Sequence, residues 1–149
     1  MSDIIIRPLA AGDRAAWTPL WHGYLTFYKA TLPPEVDEIT FDRLTGGREP
    51  MGGFIALQGD KALGMTNWVI HRTTWSERDN CYLQDLFTVP EARGTGVGRR
   101  LIDAVNQMAR AKNCFRVYWQ THETNLQAQE LYDKVAEKSG FIVYRQPLA

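Results

Sequence analysis

The sequence predicts a mixed α/β domain in which helices cover both faces of a sheet. Short runs of β-branched and aromatic residues alternate with longer segments whose apolar residues recur every three or four positions, and glycine or proline separates most of these segments. The 149 residues, 44% of them hydrophobic and 23% charged, suit one compact domain that spans residues 1–149. In chain order we expect the elements β-α-α-β-β-β-α-β-α-β.

The first predicted elements are a strand and a helix. The isoleucine run at residues 4–6 is typical of a strand, and the proline that follows closely ends it. Asp13 is the expected cap of a helix over residues 14–30, because apolar side chains recur there at helical spacing. Pro19 lies inside this helix and predicts a kink, or a restart with Thr18 as the new cap.

A second helix and three strands fill the middle of the chain. We expect that helix to be short, with Thr40 as its cap and glycine at position 46 at its end. Residues 54–57 and 62–71 have strand periodicity on either side of a Gly-Asp turn, as in a β-hairpin. Residues 81–89 are predicted to form the third strand of this block, which a proline stops.

Two helices and two strands complete the predicted order. An amphipathic helix follows the glycine-rich segment that comes after the third central strand. Residues 115–119 are the next predicted strand, and Asn125 is the expected cap of the last helix. A final strand is expected at residues 141–144.

Composition excludes several classes of function. Lysine plus arginine and aspartate plus glutamate both number 17, so the net charge is zero and neither a nucleic acid nor a membrane is an expected partner. No stretch has the apolar length of a spanning helix or the core of a signal peptide. Cys81 and Cys114 form no C-x-x-C pattern, and the three histidines have no metal-ligand spacing. We expect a reduced, cytoplasmic protein without a metal.

The densest glycine cluster favours binding of a phosphate group. Arg93-Gly94-Thr95-Gly96-Val97-Gly98 lies between a predicted strand and a predicted helix, where backbone N–H groups can converge on an anion. The spacing excludes a dinucleotide fingerprint, and the Gly-Lys-Ser/Thr ending of a Walker loop is absent.

This R-x-x-G-x-G segment, after a strand that ends Leu-Phe-Thr-Val-Pro, resembles the GNAT superfamily of acyl-CoA N-acyltransferases. Residues 125–132 match that family's N-x-x-A-x-x-L-Y segment, and Lys-Ser-Gly-Phe follows at residues 138–141. Residues 82–87 and 131–134 look most like the diamine, polyamine and histone-type acetyltransferases. The resemblance implies a mostly antiparallel sheet with a central, splayed parallel pair of strands.

The resemblance also implies acetyl-CoA as cosubstrate and a set of residues that hold it. Backbone groups near Phe87 and Val89 would pair with the pantetheine arm, residues 93–99 would surround the pyrophosphate, and Asn125 would touch the arm from the other side. The full set is Phe87, Thr88, Val89, Arg93, Gly94, Thr95, Gly96, Val97, Gly98, Arg99 and Asn125.

The implied reaction is direct attack of an amine on the thioester. Tyr132, aligned with the family's Leu-Tyr, is the expected general acid for the departing thiolate. Many relatives have a glutamate base where this chain has Gln84, which cannot accept a proton. Asp85 is the nearest carboxylate and our candidate catalytic partner, while a water relay or capture of the neutral amine stays open. His122 and Glu123 are weaker candidates.

The expected acceptor is a small-molecule or peptide primary amine, polyamine-like or lysine-like. A local acidic rim that includes Asp85 and some of Glu35, Asp37 and Glu38 would attract it. Acetylation of an antibiotic or amino-acid amine, and a coenzyme A-binding module without turnover, are the alternatives. Dimers are common among similar proteins, so a homodimer is one possible state.

Overall fold

Five strands form one sheet in this computed structural model, which describes residues 3–148. The strands are β1 (Ile4–Pro8), β2 (Met51–Gln58), β3 (Lys61–His71), β4 (Asn80–Thr88) and β5 (Arg116–Tyr118), and they lie side by side in chain order. Neighbours are antiparallel except β4 and β5, which are parallel. The predicted mixed, mostly antiparallel sheet is confirmed.

The helices of the first 119 residues pack on opposite faces of this sheet. They are α1 (Arg14–Phe27), α2 (Pro34–Thr45) and α3 (Val97–Ala111). Ile55 packs in a cluster with side chains of α1 and α2, whereas its neighbour Ala56 packs with side chains of α3. Consecutive strand residues point to opposite faces, so the two clusters are the two sides of the sheet. Helices on both faces are thus confirmed.

α1 lies directly over β4 and is continuous, contrary to the predicted break at Pro19. Trp17 and Leu20 on either side of the proline are 1% and 2% exposed. Burying such side chains contributes about 1.5–3 kcal/mol each, which outweighs the ~3 kcal/mol cost of a proline in a helix. At Gly23 a Cβ atom would lie 2.8 Å from the Phe87 ring, so a side chain there would push α1 off the strand.

The first helix begins at Arg14 after Asp13, as predicted, but without the expected side-chain cap, whereas the start of the second helix differs from prediction. The Asp13 carboxylate does not cap α1, because it accepts hydrogen bonds from the Arg7 guanidinium at 2.7 Å and from the Ala10 N–H at 2.8 Å. α2 begins at Pro34 instead of after Thr40, since proline suits the first helical position and the first turn is acidic. Its end at Thr45, with glycine next, agrees with prediction.

The described chain divides into two compact units, one up to Trp119 and one from Gln120 onward. The second unit contains α4 (Leu126–Val135), and the predicted cap is confirmed: the Ala128 N–H donates to Asn125 Oδ1 at 3.3 Å. One domain over residues 1–149 stays a prediction.

The last predicted strand is wrong. Residues 136–148 contain no helix or strand, and the four side chains of residues 141–144 are 62–88% exposed. Phe, Ile, Val and Tyr all favour strands, but a strand forms only where a neighbour satisfies its backbone N–H and C=O groups. β-propensity by itself therefore misleads at this segment.

Candidate active site

A turn with two left-handed glycines joins the end of β4 to α3. Gly94 has φ +80° and Gly96 has φ +90°, conformations that L side chains rarely adopt. A Cβ atom added at either residue would meet no described atom within 4 Å. The glycines therefore serve the path of the chain and not close packing, and the space beside them is open to a ligand.

The start of α3 supplies the donors that an anion needs. The first hydrogen bond of the helix joins the Arg100 N–H to the Gly96 carbonyl at 3.0 Å, so the amides of residues 97–99 have no acceptor within the helix. The 15-residue helix has no acidic residue in its first turn, and Arg99 and Arg100 are exposed. This geometry suits a phosphate or pyrophosphate group.

Two other residues of the segment stabilise the turn itself. The Arg93 Nε donates to the Thr88 carbonyl at 3.1 Å, and the guanidinium carbon lies 5.5 Å from the ring centroid of Phe27 and 5.8 Å from that of Phe87. The Thr95 hydroxyl donates to the Ala92 carbonyl. Arg93 thus ties the turn to α1 and β4, and the contact of residues 93–99 with a pyrophosphate stays a prediction.

The parallel strands separate soon after they meet. β5 pairs with β4 only at Asn80–Arg116, Cys81–Val117 and Tyr82–Tyr118. β4 then continues to Thr88, and residues 83–88 have no strand partner on the β5 side within residues 3–148. This free edge, which we call the gap, offers backbone groups that a peptide-like ligand can pair with.

The backbone groups that face the gap are not those expected. The Val89 N–H donates to the Leu63 carbonyl at 2.9 Å, so Val89 points towards β3, and Phe87, two residues earlier, points the same way. Leu86 therefore presents its N–H and C=O groups to the gap, and Thr88 presents its N–H group, since the Thr88 carbonyl already accepts from Arg93. The implied pairing near Phe87 and Val89 would therefore fall on Leu86 and Thr88, because the register of β3 and β4 decides the direction, and contact with the pantetheine arm stays a prediction.

A β-bulge lies in β4 beside the gap. β3 residues Asn67 and Trp68 are consecutive, yet they pair with Asp85 and Leu83, so the intervening Gln84 has no residue opposite it. Leu83 and Asp85 consequently lie on opposite faces, which a regular strand does not allow. Gln84 is exposed, and Asp85 is turned to the face that α1 covers.

Asp85 is a buried carboxylate held by two donors. Its side chain is 8% exposed, its Oδ2 accepts a hydrogen bond from Asn67 Nδ2 at 3.0 Å, and the Tyr24 hydroxyl of α1 also donates to it. Loss of water raises the pKa of Asp85 above its usual value, although both hydrogen bonds act in the opposite direction. Asn67 Oδ1 is buried without a described partner, so this polar pocket can accept a further hydrogen.

Asp85→Asn should remove a pH-dependent cost of folding. The unfolded chain loses the Asp85 proton at the ordinary pKa of a carboxyl, whereas the folded protein keeps it to higher pH, so the free energy of unfolding falls as pH rises between these two values. Urea unfolding over about pH 3 to 8 should show that the free energy of unfolding of the variant rises relative to that of the wild type through this window. Asp60→Asn, in an exposed turn, is the control. Parallel stability curves for Asp85→Asn and wild type would contradict the assignment.

The predicted acidic rim does not include Asp85, because the structure buries it. Asp37 on α2 is itself engaged, accepting from Trp21 Nε1 at 2.9 Å and lying 2.8 Å from His22 Nε2. Glu35 and Glu38 are exposed on the same helix. A rim that attracts cations would consist of α2 carboxylates alone.

The remaining predicted residues lie in the second unit. Asn125 caps α4, and Tyr132 is a half-buried residue of that helix. His122 and Glu123 are exposed and precede the helix, and the Thr124 N–H donates to His122 Nδ1 at 3.2 Å. The catalytic and cofactor roles given to Asn125 and Tyr132 stay predictions.

Sequence reasoning missed Asn67, the direction of Leu86 and the partnership of Tyr24 with Asp85. A polar Thr-Asn pair inside the otherwise apolar β3 is the only signal that marks Asn67. Among residues 3–148, no group of three or more His, Cys, Asp or Glu side chains is placed to hold a metal ion. No helix in the same range is long and apolar enough to cross a membrane.

Comparison with known proteins places this geometry in a family. The model of the Acetyltransferase (GNAT) family matches residues 17–136. D-amino-acid N-acetyltransferase HPA3 of Saccharomyces cerevisiae is 36% identical over 146 residues, which cover 96% of this chain and 90% of the yeast protein. Thialysine N-epsilon-acetyltransferase of Mus musculus is 29% identical over 93 residues, 59% of this chain and 54% of the mouse protein.

A solved structure shows the same fold. An aminoglycoside N-acetyltransferase in complex with CoA superposes with a TM-score of 0.85 at 18% identity, covering 100% of this chain and 97% of that chain. The family match spans strands β2 to β5, the gap, the glycine turn and α4. The chain therefore belongs to the GNAT family of acetyltransferases, and it is an N-acetyltransferase that acts on an amine.

Proposed function

We propose that this chain transfers the acetyl group of acetyl-CoA to a primary amine, polyamine-like or lysine-like. The observation that carries the proposal is the free edge of β4 at the gap, which leads directly into the glycine turn of α3. A ligand with a peptide-like arm and a pyrophosphate needs both features, in this order along one strand.

The residues present fit such a donor. The open space beside Gly94 and Gly96 and the amides of residues 97–99 suit the pyrophosphate, with Arg99 as an added positive charge. The gap-facing backbone groups of Leu86 and Thr88 would pair with the arm. When bound, acetyl-CoA supplies an activated acetyl group as a thioester. The Leu86 N–H would hold the carbonyl oxygen of that group as negative charge develops on it.

Asp85 is the proposed partner of the amine. A primary amine reaches the site mostly as an ammonium ion, and a desolvated carboxylate attracts such a cation strongly. Tyr24 and Asn67 fix the orientation of the carboxylate, and Asn67 Oδ1 can accept a second N–H of the same ammonium. Tyr132 is proposed to protonate the leaving thiolate, as the family motif implies.

Asp85→Asn should raise the KM of the amine far more than it lowers kcat, because binding of the cation loses its counter-charge. Added salt should also raise this KM by screening the exposed α2 carboxylates within about 8 Å. Since Asp85 is buried, the salt effect should persist in Asp85→Asn but weaken in Glu35→Gln/Glu38→Gln. An acceptor KM that responds to neither substitution nor salt would exclude this binding mode.

An amino-acid amine is the second candidate acceptor. The yeast relative that covers 96% of this chain at 36% identity is a D-amino-acid N-acetyltransferase. Such an acceptor has its amine beside a carboxylate, so it would gain less from a single buried anion than a polyamine would.

Thiol release from acetyl-CoA across a panel of amines tests the proposal. The panel holds diamines, polyamines, lysine and its thialysine analogue, D- and L-amino acids and an aminoglycoside, and binding of coenzyme A by itself is measured in parallel. Release that is fastest with a diamine, a polyamine or lysine supports the proposal, and preference for D-amino acids supports the second candidate. Binding of coenzyme A without release for any amine would favour a module that has lost turnover.

A further inference from the structure

Three aromatic side chains meet where the parallel pairing of β4 and β5 ends. The Tyr118 hydroxyl oxygen on β5 lies 2.6 Å from Nε2 of His71 at the end of β3, and the two rings are in edge-to-face contact with centroids 5.7 Å apart. The ring centroid of Tyr82 on β4 lies 4.8 Å from that of Tyr118. All three side chains are half-buried at the point where the gap opens.

The hydrogen-bond partners of His71 define the direction of its bond to Tyr118. Nδ1 of His71 lies 2.7 Å from the carbonyl oxygen of Arg72, which can only accept, so Nδ1 carries the hydrogen of the neutral ring. Nε2 is then the acceptor, and the Tyr118 hydroxyl must be its donor. The lone pairs of the Tyr118 oxygen remain able to accept a hydrogen from a second group.

This couple lies on the same face of the sheet as Asp85. His71 pairs with Asn80, two residues before Tyr82, and Tyr82 pairs with Tyr118, so these side chains share a face. The bulge at Gln84 brings Asp85 to that face as well. Tyr82 pairs with Val69 and Asp85 pairs with Asn67, two residues apart on β3, so Tyr82 and Asp85 are neighbours on this face.

We propose that Tyr118 and His71 act as one unit that takes a proton from the acceptor amine. The inference rests on the proposed function. As an N–H bond of the ammonium breaks, its hydrogen goes to Tyr118 Oη, while the hydrogen of Tyr118 goes to His71 Nε2. Tyrosine is neutral before and after, the amine becomes neutral, and His71 becomes an imidazolium whose Nδ1–H still donates to Arg72. The imidazolium then returns its extra proton to water.

Asp85 is less suited to release a proton in each turnover. It is 8% exposed and holds hydrogen bonds from Asn67 and Tyr24, so a proton taken there has a restricted route to water. His71 is half-buried and is the last residue of β3, next to the exposed Arg72. In this division of roles Asp85 binds the cation, Tyr118 meets the amine, and His71 acts through Tyr118.

Charged and titratable groups face His71 from the neighbouring strands and from the loop that follows it. Tyr118 and Tyr82 face it from β5 and β4, and burial raises the pKa of both phenols, so they stay protonated donors at neutral pH. Arg72 and Asp79 form an ion pair at 3.3 Å in the loop between β3 and β4. Arg116 on β5 pairs with Asn80 on β4.

The test compares His71→Gln, Tyr118→Phe and the double variant with wild type, using acetyl-CoA and the best amine of the panel. We expect each single variant to lower kcat by about 100-fold near pH 7, the usual scale for proton transfer, with the KM of acetyl-CoA unchanged. The loss should shrink as pH rises, because neutral amine becomes available without help. The double variant should be no slower than either single variant, since the two residues form one unit.

His22→Gln is the matched control, because that histidine is exposed and pairs with Asp37 on α2. Three results would overturn the inference. The single variants could lose the same factor in kcat at every pH or keep wild-type pH profiles, or the loss in the double variant could be the product of the two single losses. Each of these results leaves acetyl transfer itself intact. If wild type acetylates no amine, the proposed function fails, and the proton role fails with it.

Discussion

Gly96→Asp should greatly weaken binding of coenzyme A while the protein stays folded. The substitution adds a negative charge beside the amides of residues 97–99, where a pyrophosphate must approach. Like charges at a binding site cost several kcal/mol, so affinity should fall by about 100-fold or more. The left-handed backbone adds roughly 1–2 kcal/mol of strain, which aspartate tolerates better than most residues. Calorimetric titration with coenzyme A measures the loss.

Gly47→Asp separates strain from charge at the turn. Gly47 also has a positive φ, +71°, and an added Cβ would meet no described atom within 4 Å there. This control should lose a similar amount of stability and keep its affinity for coenzyme A. If Gly96→Asp keeps wild-type affinity, or if both variants lose the same affinity, the pyrophosphate does not bind at the turn.

Tyr132→Phe should lower kcat by about 100-fold, the usual effect of losing a general acid. The substitution keeps the ring and removes the hydroxyl, and a phenol with a pKa near 10 is able to protonate a departing thiolate at neutral pH. Thiol release under saturating acetyl-CoA and amine measures the change, and thermal unfolding should be nearly unaltered. The KM of acetyl-CoA should change little, because the proton is needed only as the thiolate leaves.

Tyr144→Phe is the companion control, since that tyrosine is 88% exposed in the same unit. It should keep wild-type turnover. If Tyr132→Phe also turns over at the wild-type rate across the pH range, water or another group protonates the thiolate.

Local patterns suffice for most of this fold. The strands from β1 to β5 and the helix after the glycines follow from hydrophobic period and from breakers such as Pro90, which act within a few residues. The start of α2 is an exception. In the sequence Pro34 indicates a helix breaker, whereas in the structure it is the first residue of the helix. The strand prediction for residues 141–144 fails for the opposite reason, since strand pairing depends on a neighbouring strand and not on the composition of the segment itself.

The site was less accessible to sequence reasoning because it depends on register. Asn67 meets Asp85 only through the pairing of β3 with β4, and the same pairing turns the backbone of Leu86 towards the gap. The couple of His71 and Tyr118 joins residues 47 positions apart on strands that are not neighbours in the sheet. Single-sequence periodicity has no access to such contacts.

The bulge at Gln84 makes position 84 the place in β4 where the sequence can change most freely. A side chain that is exposed and has no residue opposite it can be exchanged at low cost during evolution. Loss of that one residue would make Leu83 and Asp85 consecutive in a regular ladder, with Trp68 and Asn67 still opposite them, so both side chains would keep their faces. Position 84 is therefore expected to tolerate both substitution and deletion, whereas a one-residue insertion or deletion elsewhere in β4 would turn side chains such as Asp85 to the other face.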